Sequence, residues 1–227
     1  MKTLIPAVLI LSSMVIADSN GLGPYGLSGW PGLPCSDILP QGTLRTGASL
    51  EYIDTDGGAM VAVPLRGCWG AFEDFELAAE IPFVPLDDVW EGSLLGDVTV
   101  AGGWLYETTR GGTALKLTGR ITLPTGEEYR DRGAEFALGG VTSTTFLDFR
   151  LSMAGEYALN GKQDPFDSKI RDVFYFTGGG SSYITPDLLV NGSLSGSTSG
   201  VLQASAGLQI ILSDDLSADC GVFTDLE

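Results

Sequence analysis

The feature that most constrains this chain is a strict alternation of apolar and polar side chains, which persists from residue 43 onward. Within 113–123, Leu117 and Ile121 fall on one face, while Lys116 and Arg120 fall on the other. Such alternation is typical of β-strands, whose successive side chains point to opposite faces of a sheet. The pattern predicts eleven strands separated by turn signals: 44–53, 60–71, 75–84, 96–109, 113–123, 134–142, 147–159, 168–178, 187–196, 201–212 and 216–223.

The length and polarity of these strands favour a transmembrane barrel over a soluble sandwich. They run to about ten residues, the span of a tilted membrane strand, whereas soluble strands average five or six. Charges line the polar face along its full length. A sheet with lipid on one side must close, because the bilayer core offers no water to its backbone groups. We therefore predict an all-β, antiparallel transmembrane β-barrel, with a secreted sandwich or soluble barrel as the alternative.

The N-terminus divides the chain into three parts. Residues 1–17 (MKTLIPAVLILSSMVIA) combine Lys2 with an apolar stretch and small residues at the end, as a secretory signal peptide does. Residues 18–42 are rich in Gly, Pro and Ser and could plug the barrel from the periplasm. Residues 43–227 form the predicted barrel. This organisation predicts export through a cleaved signal peptide to the outer membrane of a Gram-negative envelope.

Composition excludes several classes of function. Lys and Arg number 12 against 29 Asp and Glu, a net charge of −17, which argues against nucleic acid as a partner. The chain has no histidine, so His-based triads and His–metal sites are absent. A Cys35–Cys68 disulfide is allowed in an exported protein, and Cys220 is the odd one out. We expect no enzyme activity, no cofactor and no metal site.

The polar face supplies the candidate lumen. Arg120 could meet Glu107 or Glu135 on a neighbouring strand, and Arg150 could meet Glu135 or the neighbours of Arg171. These charges either fill a narrow lumen or line a polar path for small solutes. The predicted lumen-lining residues are Arg45, Glu51, Arg66, Glu76, Glu80, Glu107, Lys116, Arg120, Glu135, Asp148, Arg150, Glu156, Lys169 and Arg171.

Several short stretches carry a family resemblance. They are Leu95-Gly96-Asp97-Val98, Ile121-Thr122-Leu123-Pro124-Thr125-Gly126-Glu127, Gly155-Glu156-Tyr157, and Leu212-Ser213-Asp214-Asp215-Leu216 followed by Asp219-Cys220-Gly221-Val222. In this order the chain resembles a family of outer-membrane barrels named for the meta-pathway of phenol degradation. The resemblance implies a transporter or channel with twelve strands. It also implies a last strand beyond the eleven visible here, about where this chain stops.

The sequence thus predicts a porin-like channel that passes small molecules passively through a charged, narrow lumen, with aromatic or apolar molecules among the candidates. Its expected partners are outer-membrane lipids, the small-molecule solute and the barrel-assembly machinery. The alternative is a structural or adhesive barrel that acts through its long, acidic outer loops, 85–95 and 124–133. A lipid-modifying enzyme is a third hypothesis, disfavoured by the absence of histidine.

Overall fold

The computed structural model describes residues 9–12, 22, 27, 29–30, 33–55, 58–87, 94–108, 113–126, 133–159, 172–200, 202–213 and 216–226. Three strands in this part of the chain are short: β1 (Leu9–Ser12), β2 (Gly29–Trp30) and β3 (Leu33–Pro34). The long strands are β4 (Leu44–Thr55), β5 (Gly58–Phe72), β6 (Phe75–Asp87), β7 (Val98–Thr108), β8 (Thr113–Leu123), β9 (Glu135–Phe146), β10 (Phe149–Leu159), β11 (Val173–Thr185), β12 (Leu188–Ser197), β13 (Leu202–Ser213) and β14 (Leu216–Asp225). Over the same residues, no helix is long and apolar enough to cross a membrane.

The long strands form one closed barrel. Each of β4 to β13 pairs antiparallel with the next strand in the chain, and β1 lies between β14 and β4. All eleven long strands overlap the eleven that the alternation predicts, so the predicted antiparallel barrel is confirmed. We call the end at which β5, β7, β9, β11 and β13 finish the turn end. The opposite end, where the longest connections 88–97, 124–134 and 160–172 lie, is the loop end.

The outer surface of the barrel is apolar. Every long strand exposes a large apolar side chain, while its neighbours in sequence point inward. Leu117 is 42 % exposed and Leu151 is 48 % exposed, so these side chains do not lie between two packed layers. This inside-out arrangement is that of a membrane barrel. One exposed residue from each strand in chain order gives Leu50, Leu65, Leu77, Val100, Leu117, Leu138, Leu151, Phe176, Leu194, Leu208 and Val222.

Exposed aromatic side chains lie near both ends of the barrel. The turn end carries Phe72, Trp104, Tyr106, Phe146 and Tyr183, and the rings of Trp104 and Tyr106 meet edge to face at 6.4 Å. The loop end carries Tyr52, Phe83, Phe136, Tyr157 and Phe174. Two such belts are expected where amphipathic rings sit at the two interfaces of a bilayer.

Two expected turns are part of strands. The predicted turn at 143–146 belongs to β9, because Ser143 points inward and its Oγ shares a hydrogen bond of 2.9 Å with Ser152 Oγ. The predicted turn at 179–186 is largely within β11. There a Cβ on Gly180 would lie 2.5 Å from Phe149 Cζ, so the glycine lets a ring lie against the sheet. Gly180 therefore packs under the ring of Phe149 and does not end the strand.

The twelfth strand position is filled from the N-terminus. Leu9–Ser12, within the stretch predicted to be a leader outside the fold, pairs at four positions with β4 and at two with β14. The reason is physical: the facing edges of β4 and β14 carry backbone groups that need partners in a lipid environment.

The buried residues among the described part of the Gly- and Pro-rich segment lie inside the barrel. Its apolar side chains Leu22, Leu27 and Leu39 are buried together with inward-facing residues of β5, β6 and β7. Residues 33 and 34, which form β3, contact β10, β11 and β12 on the other side. The wall makes room for the segment at Gly70, where a Cβ would come within 2.2 Å of Pro40 O.

Candidate functional site in the barrel lumen

The alternation carries most of the predicted charged residues into the interior. Arg45, Glu76, Lys116, Arg120 and Glu135 are buried there, and Glu76 and Lys116 are 0 % exposed. Glu51, Arg66, Glu80, Arg150 and Glu156 also point inward and are partly buried. Ionised groups this deep must be paired, because an isolated charge loses its hydration at high cost. The ten side chains accordingly include most members of the ion pairs described below.

Of the four other predicted lumen residues, the structure contradicts one and does not describe the side chains of three. Asp148 is exposed, because β9 continues to Phe146 and the chain turns at residues 147–148 before β10 begins; its assignment to the lumen is wrong. Glu107 belongs to β7, but its side chain is outside the described part of the structure. Lys169 and Arg171 also lie outside the described residues.

The first ion-pair group joins three neighbouring strands. Arg66 on β5 donates from Nε to Glu80 Oε2 on β6 at 2.6 Å and from Nη2 to Glu51 Oε1 on β4 at 2.9 Å. Its Nη1 donates to Ser49 Oγ at 2.9 Å. One guanidinium thus ties β4, β5 and β6 together.

The second group joins β6 and β8 across the strand between them. Lys116 Nζ on β8 lies 3.1 Å from Glu76 Oε1 on β6, and β7 runs between them. Gly103 on β7 leaves the space, because a Cβ there would lie 3.0 Å from Lys116 Cδ and 3.3 Å from Glu76 Cγ. The pair is fully enclosed, so its charges neutralise each other within the protein.

The third group places two carboxylates on one guanidinium. Arg120 on β8 contacts Glu135 on β9 and donates from Nε to Glu156 Oε1 on β10 at 2.7 Å. Its Nη1 also donates to Thr122 Oγ1 at 3.0 Å. The expected Arg120–Glu135 pair is present. When ionised, this group carries one negative charge in excess.

The N-terminal segment is held by the same charged wall. Both guanidinium nitrogens Nη1 and Nη2 of Arg150 donate to the Asp37 carboxylate, rather than to Glu135, one of its expected partners. Lys116 Nζ donates to the Asp37 carbonyl oxygen at 3.1 Å, and Leu39 N donates to Glu76 Oε2 at 3.2 Å. Ser36 N donates to Ser143 Oγ at 3.0 Å. Residues 36–39 are therefore fixed to β6, β8, β9 and β10.

An apolar contact lies beside this polar attachment. Leu33 and Cys35 of the segment pack with Leu189, an inward-facing residue near the turn end of β12, and all three are buried. Burial raises the pKa of the Cys35 thiol to about 11, so it is uncharged at neutral pH. Cys35, Cys68 and Cys220 are all free thiols. Uncharged side chains therefore fill this part of the lumen.

A cavity of about 490 Å³ adjoins the segment. Leu27 and Pro34 form part of its boundary, and Lys116, Arg120 and Glu156 lie in its wall. Ser197, which ends β12, also lines it, so the cavity reaches toward the loop end. Its volume falls within the range of small-molecule sites in proteins.

Comparison with known proteins places the chain. The model of a family described as "Putative MetA-pathway of phenol degradation" matches residues 38–227. The chain belongs to this family. None of the curated proteins matches the chain.

Two solved outer-membrane structures are similar in outline. The outer membrane channel DcaP of Acinetobacter baumannii shows 10 % sequence identity and a TM-score of 0.35, with 98 % of this chain and 96 % of that chain covered. The toluene transporter TbuX of Ralstonia pickettii shows 10 % identity and a TM-score of 0.45, with 100 % of this chain and 90 % of that chain covered.

Two of the stretches that resemble this family form a structural contact at the loop end. Thr125 Oγ1 donates to Gly96 O at 2.7 Å and accepts from Val98 N at 3.0 Å. Gly96 N in turn donates to Pro82 O at 2.8 Å on β6. The LGDV and LPTG stretches thus hold the base of two connections together, and neither lines the cavity.

The neutral part of the cavity wall is what sequence reasoning missed. Hydroxyl and amide side chains from β8, β11, β12 and β13 line it, together with one phenol. The signal was present, since most of these positions stand next to an exposed apolar residue of the same strand, such as Phe176 or Leu194, but a search for charges passes over them. They are Thr118, Tyr175, Thr177, Ser195, Ser197 and Gln203.

The described residues provide no set of ligands for a metal ion. Among the described residues, no three His, Cys, Asp or Glu side chains are grouped to hold a metal ion. Glu76 and Glu80, which lie four apart on β6, bind different cations, Lys116 and Arg66.

Proposed function

We propose that this protein is an outer-membrane channel through which small molecules pass passively. The observation that carries the proposal is the cavity of about 490 Å³ inside a closed, lipid-compatible barrel, bounded by the protein's own N-terminal segment. An apolar outer surface on all eleven long strands supports a place in the bilayer. A barrel of this strand number lies between filled eight-stranded barrels and open porins, so only small molecules would fit.

A transport role suits the chemistry of the lumen better than an enzymatic one. The described ionised side chains of the cavity wall, Lys116, Arg120 and Glu156, each bind an opposite charge of the protein. A general acid, base or nucleophile would need a group poised toward a substrate instead. The paired charges stabilise the wall and leave a polar passage.

In this proposal the N-terminal segment controls the passage. Residues 36–39 are attached by side chains of the wall, and the Leu33–Leu189 contact adds an apolar constriction. Apolar constrictions can close pores by excluding water. Because Asp37 and Arg150 are only partly buried, at 32 % and 19 % exposure, their pair is the attachment most accessible to solvent.

Export and assembly complete the proposal. Residues 1–17 act as the signal peptide, and the mature chain meets outer-membrane lipids and the barrel-assembly machinery. Removal of the leader also removes β1. Since β1 is antiparallel to both β4 and β14, these two strands run in the same direction and would have to pair in parallel to close the mature barrel.

Flux into liposomes tests the channel. Wild-type protein, refolded with its full chain, should admit arabinose faster than empty liposomes do. Asp37→Asn should raise the rate about tenfold, because a charge-assisted hydrogen bond contributes roughly 1.5–3 kcal/mol and its loss favours release of the segment. Gly70→Val should act in the same direction, since its side chain would meet Pro40 O.

The matched control is Glu51→Gln, which weakens an interior ion pair of the wall with no attachment to residues 33–39. Its arabinose flux should equal that of wild type. A barrel that is folded, by its heat-dependent gel migration, yet admits no arabinose in any variant would overturn the channel. Equal increases in Asp37→Asn and Glu51→Gln would overturn the role of the segment.

A further inference from the structure

The charged side chains that line the described cavity wall are already bound to partners within the protein. The Arg120 guanidinium faces two carboxylates, and the Lys116 ammonium is bound by Glu76 and the Asp37 carbonyl. A solute carboxylate entering here would have to compete with these buried partners for its hydrogen bonds. It would also approach Glu156, which belongs to a group with one negative charge in excess. In a partly desolvated cavity such like-charge contact is costly.

The rest of the wall can serve an uncharged molecule. Thr118, Thr177, Ser195 and Gln203 supply donors and acceptors without charge, and Tyr175 adds an aromatic ring with a hydroxyl. Leu27, Pro34 and Val141 give an apolar surface. A site with a few polar groups on an apolar surface binds molecules of the same mixed character.

We propose that the cavity is a binding site for uncharged molecules with an apolar body and one or two hydrogen-bonding groups, and that the Glu156 carboxylate excludes anions from it. This inference deepens the proposed function by naming the class of solute, and it rests on that function for its biological meaning. Glu156 is thus a specificity-determining residue, since it lines the cavity while its partner Arg120 is neutralised by Glu135 as well.

Equilibrium binding to the full chain in detergent tests the proposal directly. Benzamide and benzoate are matched in size and differ in charge. Benzamide should bind at least about tenfold more tightly than benzoate, a difference of ~1.4 kcal/mol. Glu156→Gln should strengthen benzoate binding about tenfold relative to benzamide binding, because it removes the excess negative charge from the wall. Ser195→Phe fills the cavity and should abolish benzamide binding. This variant therefore distinguishes benzamide bound in the cavity from benzamide taken up by the detergent.

Glu80→Gln is the matched control, because it also removes an interior carboxylate bound to an arginine but does not line the cavity. It should leave the benzamide-to-benzoate ratio unchanged. Equal affinities of the wild type for the two ligands would overturn the proposal, as would equal shifts in Glu156→Gln and Glu80→Gln. If the protein prefers benzamide to benzoate but admits no arabinose, this inference holds and the proposed channel function is wrong. If the protein admits arabinose but binds benzamide and benzoate equally, the channel function holds and this inference is wrong.

Discussion

Lys116 on β8 reaches past β7 to Glu76 on β6, with 3.1 Å between Nζ and Oε1, and both side chains are almost completely buried. The same two residues also hold the N-terminal segment, through the Asp37 carbonyl and the Leu39 amide. This pair therefore links the wall of the barrel to the segment that occupies it. The space over β7 that the pair requires exists because residue 103 is glycine.

Gly103→Val should destabilise the barrel. The added side chain would press on Lys116 Cδ and Glu76 Cγ, which lie within 3.0 and 3.3 Å of a Cβ at this position. Overpacking of this kind costs about 1–3 kcal/mol, and a displaced buried pair adds to that. Denaturant unfolding in detergent measures the loss. The control is Gly178→Val in β11, where no atom lies within 4 Å of a Cβ. Equal losses in the two variants would contradict the role given to Gly103.

The strands and their two faces could be predicted because period-two alternation is local. A residue such as Leu117 carries its outward direction in the identity of Lys116 and Thr118 beside it. The partners of the inward charges could not be predicted with the same security, because they depend on register and strand order. Arg120 does meet Glu135, which lies on the next strand. Lys116 and Glu76 are separated by a whole strand, and no local pattern joins them.

The position of residues 18–42 shows the same limit. Composition identified the segment as irregular, but a Gly- and Pro-rich stretch contains no period that says where it packs. The sequence offered Glu135 or the neighbours of Arg171 as partners of Arg150, whereas Arg150 meets Asp37, 113 residues away along the chain. The predicted strand ended at residue 178, whereas β11 continues to Thr185. Gly180 accommodates the ring of Phe149 instead of ending the strand. Turn chemistry and close packing use the same residue, and only the fold distinguishes them.

Cys35 should make the protein lose stability at alkaline pH. Burial raises the pKa of its thiol from 9.0 to about 11, so the folded chain holds the proton more tightly than the unfolded chain does. The contribution is fully present below pH 9.0 and is lost as the pH rises toward about 11. Cys35→Ala should therefore flatten the fall in unfolding free energy across this range, measured by denaturant titration at each pH.

The control for this prediction is Cys220→Ala, which leaves Cys35 in place on the N-terminal segment and should keep the wild-type pH dependence. Alkylation gives a second measurement. Since the thiolate is the reactive form, iodoacetamide at pH 8 should leave Cys35 unmodified in the folded barrel and modify it after unfolding. Parallel pH profiles for wild type and Cys35→Ala would show that burial of this thiol does not contribute.

The short strand Leu9–Ser12 should stabilise the barrel when it is present. It pairs with Ser49 to Tyr52 on β4 and with Cys220 and Gly221 on β14. A chain that begins at residue 18 loses these pairs and should unfold at a lower temperature, by roughly 2–4 °C for each kcal/mol lost. A chain that begins at residue 9 keeps the strand and is the control. Identical melting of the two refolded proteins would show that β4 and β14 close the barrel equally well without β1.

The direction in which Leu117 points decides whether this barrel lies in a bilayer. Leu117 is near the middle of β8 and is 42 % exposed on the apolar outer surface. Leu117→Arg should destabilise the barrel folded in lipid vesicles by about 2–4 kcal/mol, because the charge would lie near the midplane of the hydrocarbon. Asp148→Arg introduces the same side chain in an exposed turn and should cost little. A soluble barrel would tolerate both substitutions, since water would hydrate either arginine. Similar stabilities of the two variants would therefore contradict a position in the bilayer.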